Sequence, residues 1–233
     1  FKEAGIDVVM GEAIFNTPCS IRVNDTIYEY KKAVIATGSS PRLLDIEGLD
    51  ENDVLTNQNL FNLEAVPQKL LIIGGGPIGM EMGQALAMLG SNVTIATIGR
   101  GLADKEDPAF QSIVEKNFTD LGVTILPHAY IDSIKNRVAK FNIKDGETTV
   151  SGIEVSYDKV LIAVGRVPNL PDGLAGAGIE FDTRCILVDS QQRTSNKYVY
   201  AIGDIAQRLK FTHTADDMAR QVVTHVISRG LLR

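Results

Sequence analysis

Two rhythms of apolar and polar positions run along the chain, one of short alternating pieces and one of longer helical repeats. Residues 7–10, 12–15, 20–24 and 26–30 are short β-favouring pieces separated by turn residues, among them Asn24 and Asp25. Runs so brief and so often punctuated predict a small meander. An apolar strand follows at 32–38 and closes on Thr37 and Gly38. Residues 40–66 hold Pro41 and Gly48 and few periodic positions, with Pro67 just beyond. That stretch predicts a linker with room for one short helix.

The rhythm changes at Lys69. An apolar strand runs into a glycine-rich turn, and Ile78, Met82, Ala85, Leu86 and Leu89 then repeat as the stripe of a helix lying on a sheet. Gly90 stands where a left-handed cap is wanted, and a second strand ends at Thr97. Asp107 as N-cap and Pro108 at the first helical position announce another helix, with Phe110, Ile113, Val114, Phe118 and Leu121 inward and a stop at Gly122. Beyond a strand at 123–126, residues 130–156 read as antiparallel with a hairpin turn at Asp145 and Gly146. Residues 159–165 form a buried central strand ending in glycine. After Pro168 and Pro171 a glycine-rich loop leads to 186–188 and then to 198–204. In the last helix Thr214 and Asp217 make a capping box, Ala215, Met218, Ala219, Val222, Val226 and Ile227 face inward, and Gly230 closes it. The whole is an α/β pattern, a parallel sheet with an antiparallel meander.

Composition narrows the function. The 233 residues can hold one large domain or two small ones, and 21 glycines suit many tight strand-to-helix turns. A net charge of −6 with scattered cations argues against nucleic acid or an anionic membrane surface. No apolar run approaches the roughly 20 residues that span a bilayer. Cys19 and Cys185 form no redox pair, which favours a reducing, cytoplasmic setting and structural thiols. His128, His213 and His225 lack metal-ligand spacing, so no metal site is expected. The start carries no signal-peptide pattern, and an opening on Phe1 suggests a piece of a longer protein.

Gly74, Gly76 and Gly79 stand in G-x-G-x-x-G spacing between strand and helix, with Gly75 and Ile78 inside the same turn. The first glycine permits the tight turn, the second lets a pyrophosphate approach bare backbone, and the third lets helix and strand pack closely. The helix then aims its unsatisfied amides and positive end at the phosphates. With strand, helix and second strand all present, this is a dinucleotide site.

Four segments now stand in order: 36–38 closing a strand, 74–79, 163–169, and 200–204 ending in Gly203 and Asp204. Together they resemble the FAD-dependent pyridine nucleotide–disulfide oxidoreductases, and residues 210–214 look closest to the dihydrolipoamide dehydrogenase and mercuric reductase branch. The resemblance implies an NAD(P) domain inserted in an FAD domain, both Rossmann-like. Residues 1–45 would be the second segment of the FAD domain, 46–64 a linker, 65–168 the NAD(P)-binding domain and 169–233 the FAD domain's return. It also implies cofactor-binding roles for Gly74, Gly75, Gly76, Ile78, Gly79, Gly165, Thr37, Gly38, Gly203 and Asp204. Asp204 would accept from ribityl hydroxyls, and Glu81 would lie near the nicotinamide. Glu81 also reads as a first-turn acid favoured by the helix dipole.

Three departures from the family qualify this. The opening FAD segment with its redox cysteines is absent, as is the C-terminal domain with dimer contacts and a catalytic histidine, so no catalytic residue is expected here and the fragment alone should be inactive. Thr97 replaces the acid that NAD-preferring relatives place at the second strand's end. Without that acid a 2′-phosphate is not repelled, and Arg100 and Lys105 could meet it, which tips the choice between NADP and NAD toward NADP. A second reading leaves Arg100 a solvated loop residue. Cys185 stands where a turn glycine is usual. The expected function is the nucleotide-binding portion of an enzyme, homodimeric at full length, that passes a hydride from NAD(P)H to FAD and on to a disulfide or related acceptor. A non-catalytic dinucleotide sensor and a flavin-free dehydrogenase are the alternatives.

Overall fold

The computed structural model describes residues 2–207 and 210–231. The chain forms two compact units, Phe1–Ser40 with Val167–Arg233, and Pro41–Arg166.

In the first unit, strands Ala13–Thr17, Ser20–Val23 and Thr26–Glu29 form the expected antiparallel meander, with Asn24 in a left-handed turn at φ 53°. Residues 7–10 differ from expectation. They are exposed coil, tied down where the Asn24 side-chain amide donates to the Met10 carbonyl, since no strand pairs with them. Ala33–Ile35 pairs in parallel with Val199–Ala201. Around that ladder Ile35, Leu174, Ile186, Val199, Ala201, Ile205 and Met218 form one buried cluster. At 186–188 an isolated bridge joins Ile186 to Phe181. The last helix spans Thr212–Leu231. Thr214 therefore lies inside its first turn instead of capping it, and Gly230 does not end it. Met218 and Val222 face the core as expected, whereas Ile227 is exposed.

The second unit is built on a five-stranded, all-parallel sheet in the order Val54–Leu55, Lys159–Ile162, Lys69–Ile73, Asn92–Ala96, Thr124–Leu126. Alternation along the strands feeds two cores. Leu70 and Ile72 join Leu86, Val93, Ile95 and Phe118 on the helical face, while Leu71 and Ile73 join Phe141, Val160 and Ile162 on the other. That other face is shared with the antiparallel strands Ala129–Lys135, Val138–Asp145 and Thr148–Ser156, whose hairpin turns at Gly146 as expected.

Three expectations are corrected in this unit. The stretch 46–64 is not a bare linker. It contributes the edge strand Val54–Leu55 and two short helical turns, and Leu55 and Leu60 are buried in the helix-side core. Helix Pro77–Met88 turns glycine to the sheet: Gly79, Gly83 and Leu86 are buried, whereas Ala85 and Leu89 are exposed. A Cβ on Gly83 would lie 2.9 Å from Ile95 Cδ1, so bare backbone is what brings the helix this close. Helix Pro108–Asp120 keeps its Asp107 cap, which accepts from the Ala109 amide at 2.8 Å. It turns Val114 and Phe118 inward, but Phe110, Ile113 and Leu121 outward. Polar residues hold the rest of its inner side, where Glu115 accepts from the Leu102 amide at 3.0 Å and from Gln111 at 3.1 Å.

Candidate functional site

Each glycine of the first turn has its own geometry. Gly74 follows the strand Lys69–Ile73 at φ +119°, and a Cβ there would fall 2.4 Å from the Ala163 carbonyl oxygen. Gly79 could not carry a Cβ either, since it would fall 2.0 Å from the Gly74 oxygen. Gly76 is different. It caps the helix at φ −80° and ψ −176° without a side-chain bond, and a Cβ there would meet nothing within 4 Å. Two glycines thus pull strand and helix together while the third leaves open space in front of the first-turn amides, which have no carbonyl partner within their own helix. Ile78 is half-buried in that turn. Glu81 lies beyond the first turn, which holds no acid, so the dipole reading of that residue fails.

Bordering this turn, Thr97 is buried and its hydroxyl accepts from the Gly99 amide at 3.2 Å. Arg100 donates to the Asp104 carbonyl at 3.0 Å. Gly165 takes φ +110° with nothing near its Cα, and its carbonyl accepts from the Arg42 amide.

The first unit carries a separate polar cluster at the carboxyl ends of its parallel pair. The Thr37 hydroxyl donates to the Asn169 carbonyl at 2.7 Å, the Asn169 amide side chain donates to the Thr37 carbonyl at 2.9 Å, and the Asn169 N–H donates to the Gly38 carbonyl at 3.0 Å. Ser40 adds a bond to Asn169 Oδ1 at 2.8 Å. Asp204 sits in the short turn Gly203–Ile205, its carboxylate accepting from Ser39 at 2.5 Å and its carbonyl from Lys210 at 2.9 Å. Gly203 takes φ +73° and donates its amide to the Met218 sulfur at 3.4 Å.

Sequence reasoning named Thr37, Gly38, Gly203 and Asp204 and missed the residues that hold them. Asn169, Ser39, Lys210 and Met218 form that frame. Asn169 and Ser39 stood inside or beside the motifs already singled out, and their polar side chains were the available signal. The second unit also holds an ion cluster around a buried carboxylate that no pattern announced. Arg137 reaches Asp53 at 2.6 Å, and Lys159 reaches the same carboxylate at 3.2 Å. Burial pushes the Asp53 carboxyl up, but hydrogen bonds and charge from Arg137 and Lys159 hold it below its ordinary value.

Cys19 is exposed and Cys185 buried. Cys185 is not among the left-handed residues, so the missing turn glycine leaves no backbone strain. Among the described residues no group of three or more His, Cys, Asp or Glu side chains could hold a metal, and no helix is long and apolar enough to cross a membrane.

This glycine turn on a parallel sheet and the Thr37–Asp204 cluster stand in a chain whose residues 1–219 match the pyridine nucleotide-disulphide oxidoreductase family, and the chain belongs to that family. Among its relatives, a mercuric reductase of Lysinibacillus sphaericus is 34% identical over 217 residues, 91% of this chain and 39% of the relative. A dihydrolipoyl dehydrogenase of Staphylococcus aureus is 35% identical over 233 residues, 92% of this chain and 47% of the relative. The structure of the HOCl-induced flavoprotein disulfide reductase of Escherichia coli is similar at a TM-score of 0.79 and 28% identity, covering 92% of this chain and 49% of that one. The chain thus spans less than half the length of these relatives.

Proposed function

We propose that this chain is the nucleotide-binding portion of a flavin-dependent oxidoreductase, with Pro41–Arg166 receiving NAD(P)H and the first unit holding part of FAD. In the whole enzyme the nicotinamide and flavin supply hydride and electron transfer, and a disulfide or related acceptor takes the electrons. The residues here bind and orient. Bare backbone at Gly76 and the Ile78 and Gly79 amides beyond Pro77 would receive the pyrophosphate, with Gly74 and Gly75 shaping the turn. Gly165, open at its Cα, suits close approach of the nicotinamide end, and Glu81 would lie beside it. Thr37, Gly38 and Gly203 would line the flavin's path. The Asp204 carboxylate, which accepts from the Ser39 hydroxyl, would accept from its ribityl hydroxyls in the same way, as suits neutral O–H donors. A homodimer is the form proposed for the full-length protein.

The observation that carries this reading is the unfilled space at Gly76, where a Cβ would meet nothing within 4 Å. Isothermal titration of the protein with NADH and NADPH tests it. Saturable binding of either coenzyme, lost on replacing Gly76 with Val, is expected. Binding that survives Gly76→Val, or that is absent in the wild-type protein, rejects the site.

A further inference from the structure

Resting on the nucleotide reading above, we propose that Asp104 selects NADH over NADPH, its carboxylate accepting from the hydroxyls of the adenosine ribose. The strand end that would ordinarily carry such an acid has none: Thr97 is buried and its hydroxyl is turned back onto the Gly99 amide. The loop that follows then folds against the glycine turn. A Cβ on Gly75 would fall 3.1 Å from Thr97 Cβ and 3.3 Å from the Gly101 carbonyl oxygen. Two further bonds pin the loop, from the His128 amide to the Gly99 carbonyl at 2.9 Å and from the Leu102 amide to Glu115 at 3.0 Å.

On this pinned loop the Asp104 carboxylate is laid over Gly99, so closely that a Cβ there would fall 2.1 Å from Oδ2. Among the described residues no donor or cation reaches that carboxylate. Arg100, the cation expected to welcome a 2′-phosphate, gives one N–H to the Asp104 carbonyl at 3.0 Å, which holds it on the same loop. The loop therefore presents a carboxylate with unused lone pairs beside the glycine turn. Two vicinal hydroxyls satisfy such a group, while a 2′-phosphate is repelled by it, and both effects favour NADH.

Titration calorimetry with NADH and NADPH at fixed ionic strength tests this in the wild-type protein and three variants. The wild type is expected to bind NADH more tightly. Asp104→Asn should weaken NADH about tenfold, as loss of a charge-assisted hydrogen bond does, and collapse the NADH-to-NADPH ratio. Gly99→Ala keeps the charge but pushes the flexible carboxylate aside, so it should move the ratio in the same direction. Arg100→Ala should leave NADH the tighter ligand. A wild-type preference for NADPH that Arg100→Ala abolishes, or a ratio indifferent to Asp104→Asn, overturns the assignment while leaving the nucleotide site standing. Binding of neither coenzyme overturns the site and the assignment together.

Discussion

Asp53 is 1% exposed, and a lone carboxylate at that depth would cost several kcal/mol. Arg137 and Lys159 offset that cost through three charge-assisted hydrogen bonds. Replacing Asp53 with Asn should lose about 2–4 kcal/mol at neutral pH, read from urea unfolding, because two cations are left facing a neutral amide. The pH dependence follows from the direction of the shift. The folded carboxyl titrates below its ordinary value, so the unfolded chain binds the proton first on acidification. Its contribution is whole well above pH 4 and disappears as pH falls through the folded value. The gap between wild type and Asp53→Asn should therefore narrow in acid, and a gap of constant size from neutral pH down to about 3 would reject the ion cluster as its source. No pattern in the chain could have revealed this group. Its partners lie 84 and 106 residues away, and a single acid in an aperiodic stretch carries no signal of what it will meet.

The helix Pro77–Met88 was legible as a helix but not in which face it buries. Apolar periodicity weights large side chains, whereas this helix approaches the sheet through Gly79 and Gly83, two residues with no side chain to count. The consequence is a contrast between neighbours on one face. At Gly83 an added methyl meets the far ends of Ile95 and Ile72, which can give, and a gain in helix propensity of about 1 kcal/mol works in its favour. At Gly79 it meets a backbone oxygen that cannot. Thermal and urea unfolding should place Gly83→Ala within about 1 kcal/mol of wild type and Gly79→Ala about 3 kcal/mol below it. Equal losses at the two positions would show that helix–sheet spacing is not what the glycines provide. The second helix repeats the lesson. Asp107 and Pro108 marked its start correctly because a cap is local chemistry, yet Phe110 and Ile113 face solvent while Gln111 and Glu115 turn in to satisfy the loop at Leu102.

Taken together, the two units have their own cores, and a coenzyme seated on the glycine turn would stabilise the unit that binds it by mass action. Hydrogen exchange with and without saturating NADH should show added protection at 70–80 and 93–101 and none in the meander at 13–29, whereas uniform protection or none would place the ligand elsewhere. Local sequence was enough for the strands at 69–73, 92–96 and 159–162, the hairpin at Gly146, the glycine turn and the order of the four motifs, since each depends on neighbours a few residues apart: a turn needing positive φ, a cap, a run of β-branched side chains. The family followed from that order. Contacts between distant segments were decided only in the folded chain. They recruit Val54–Leu55 to the sheet edge, choose glycine as the buried face of the first helix, lock Thr37 and Gly38 to Asn169, and fold Asp104 over Gly99. Spacing along a chain records what a residue can do locally. Which partner it meets across more than a hundred residues, as Thr37 meets Asn169, depends on the packing of every element between them.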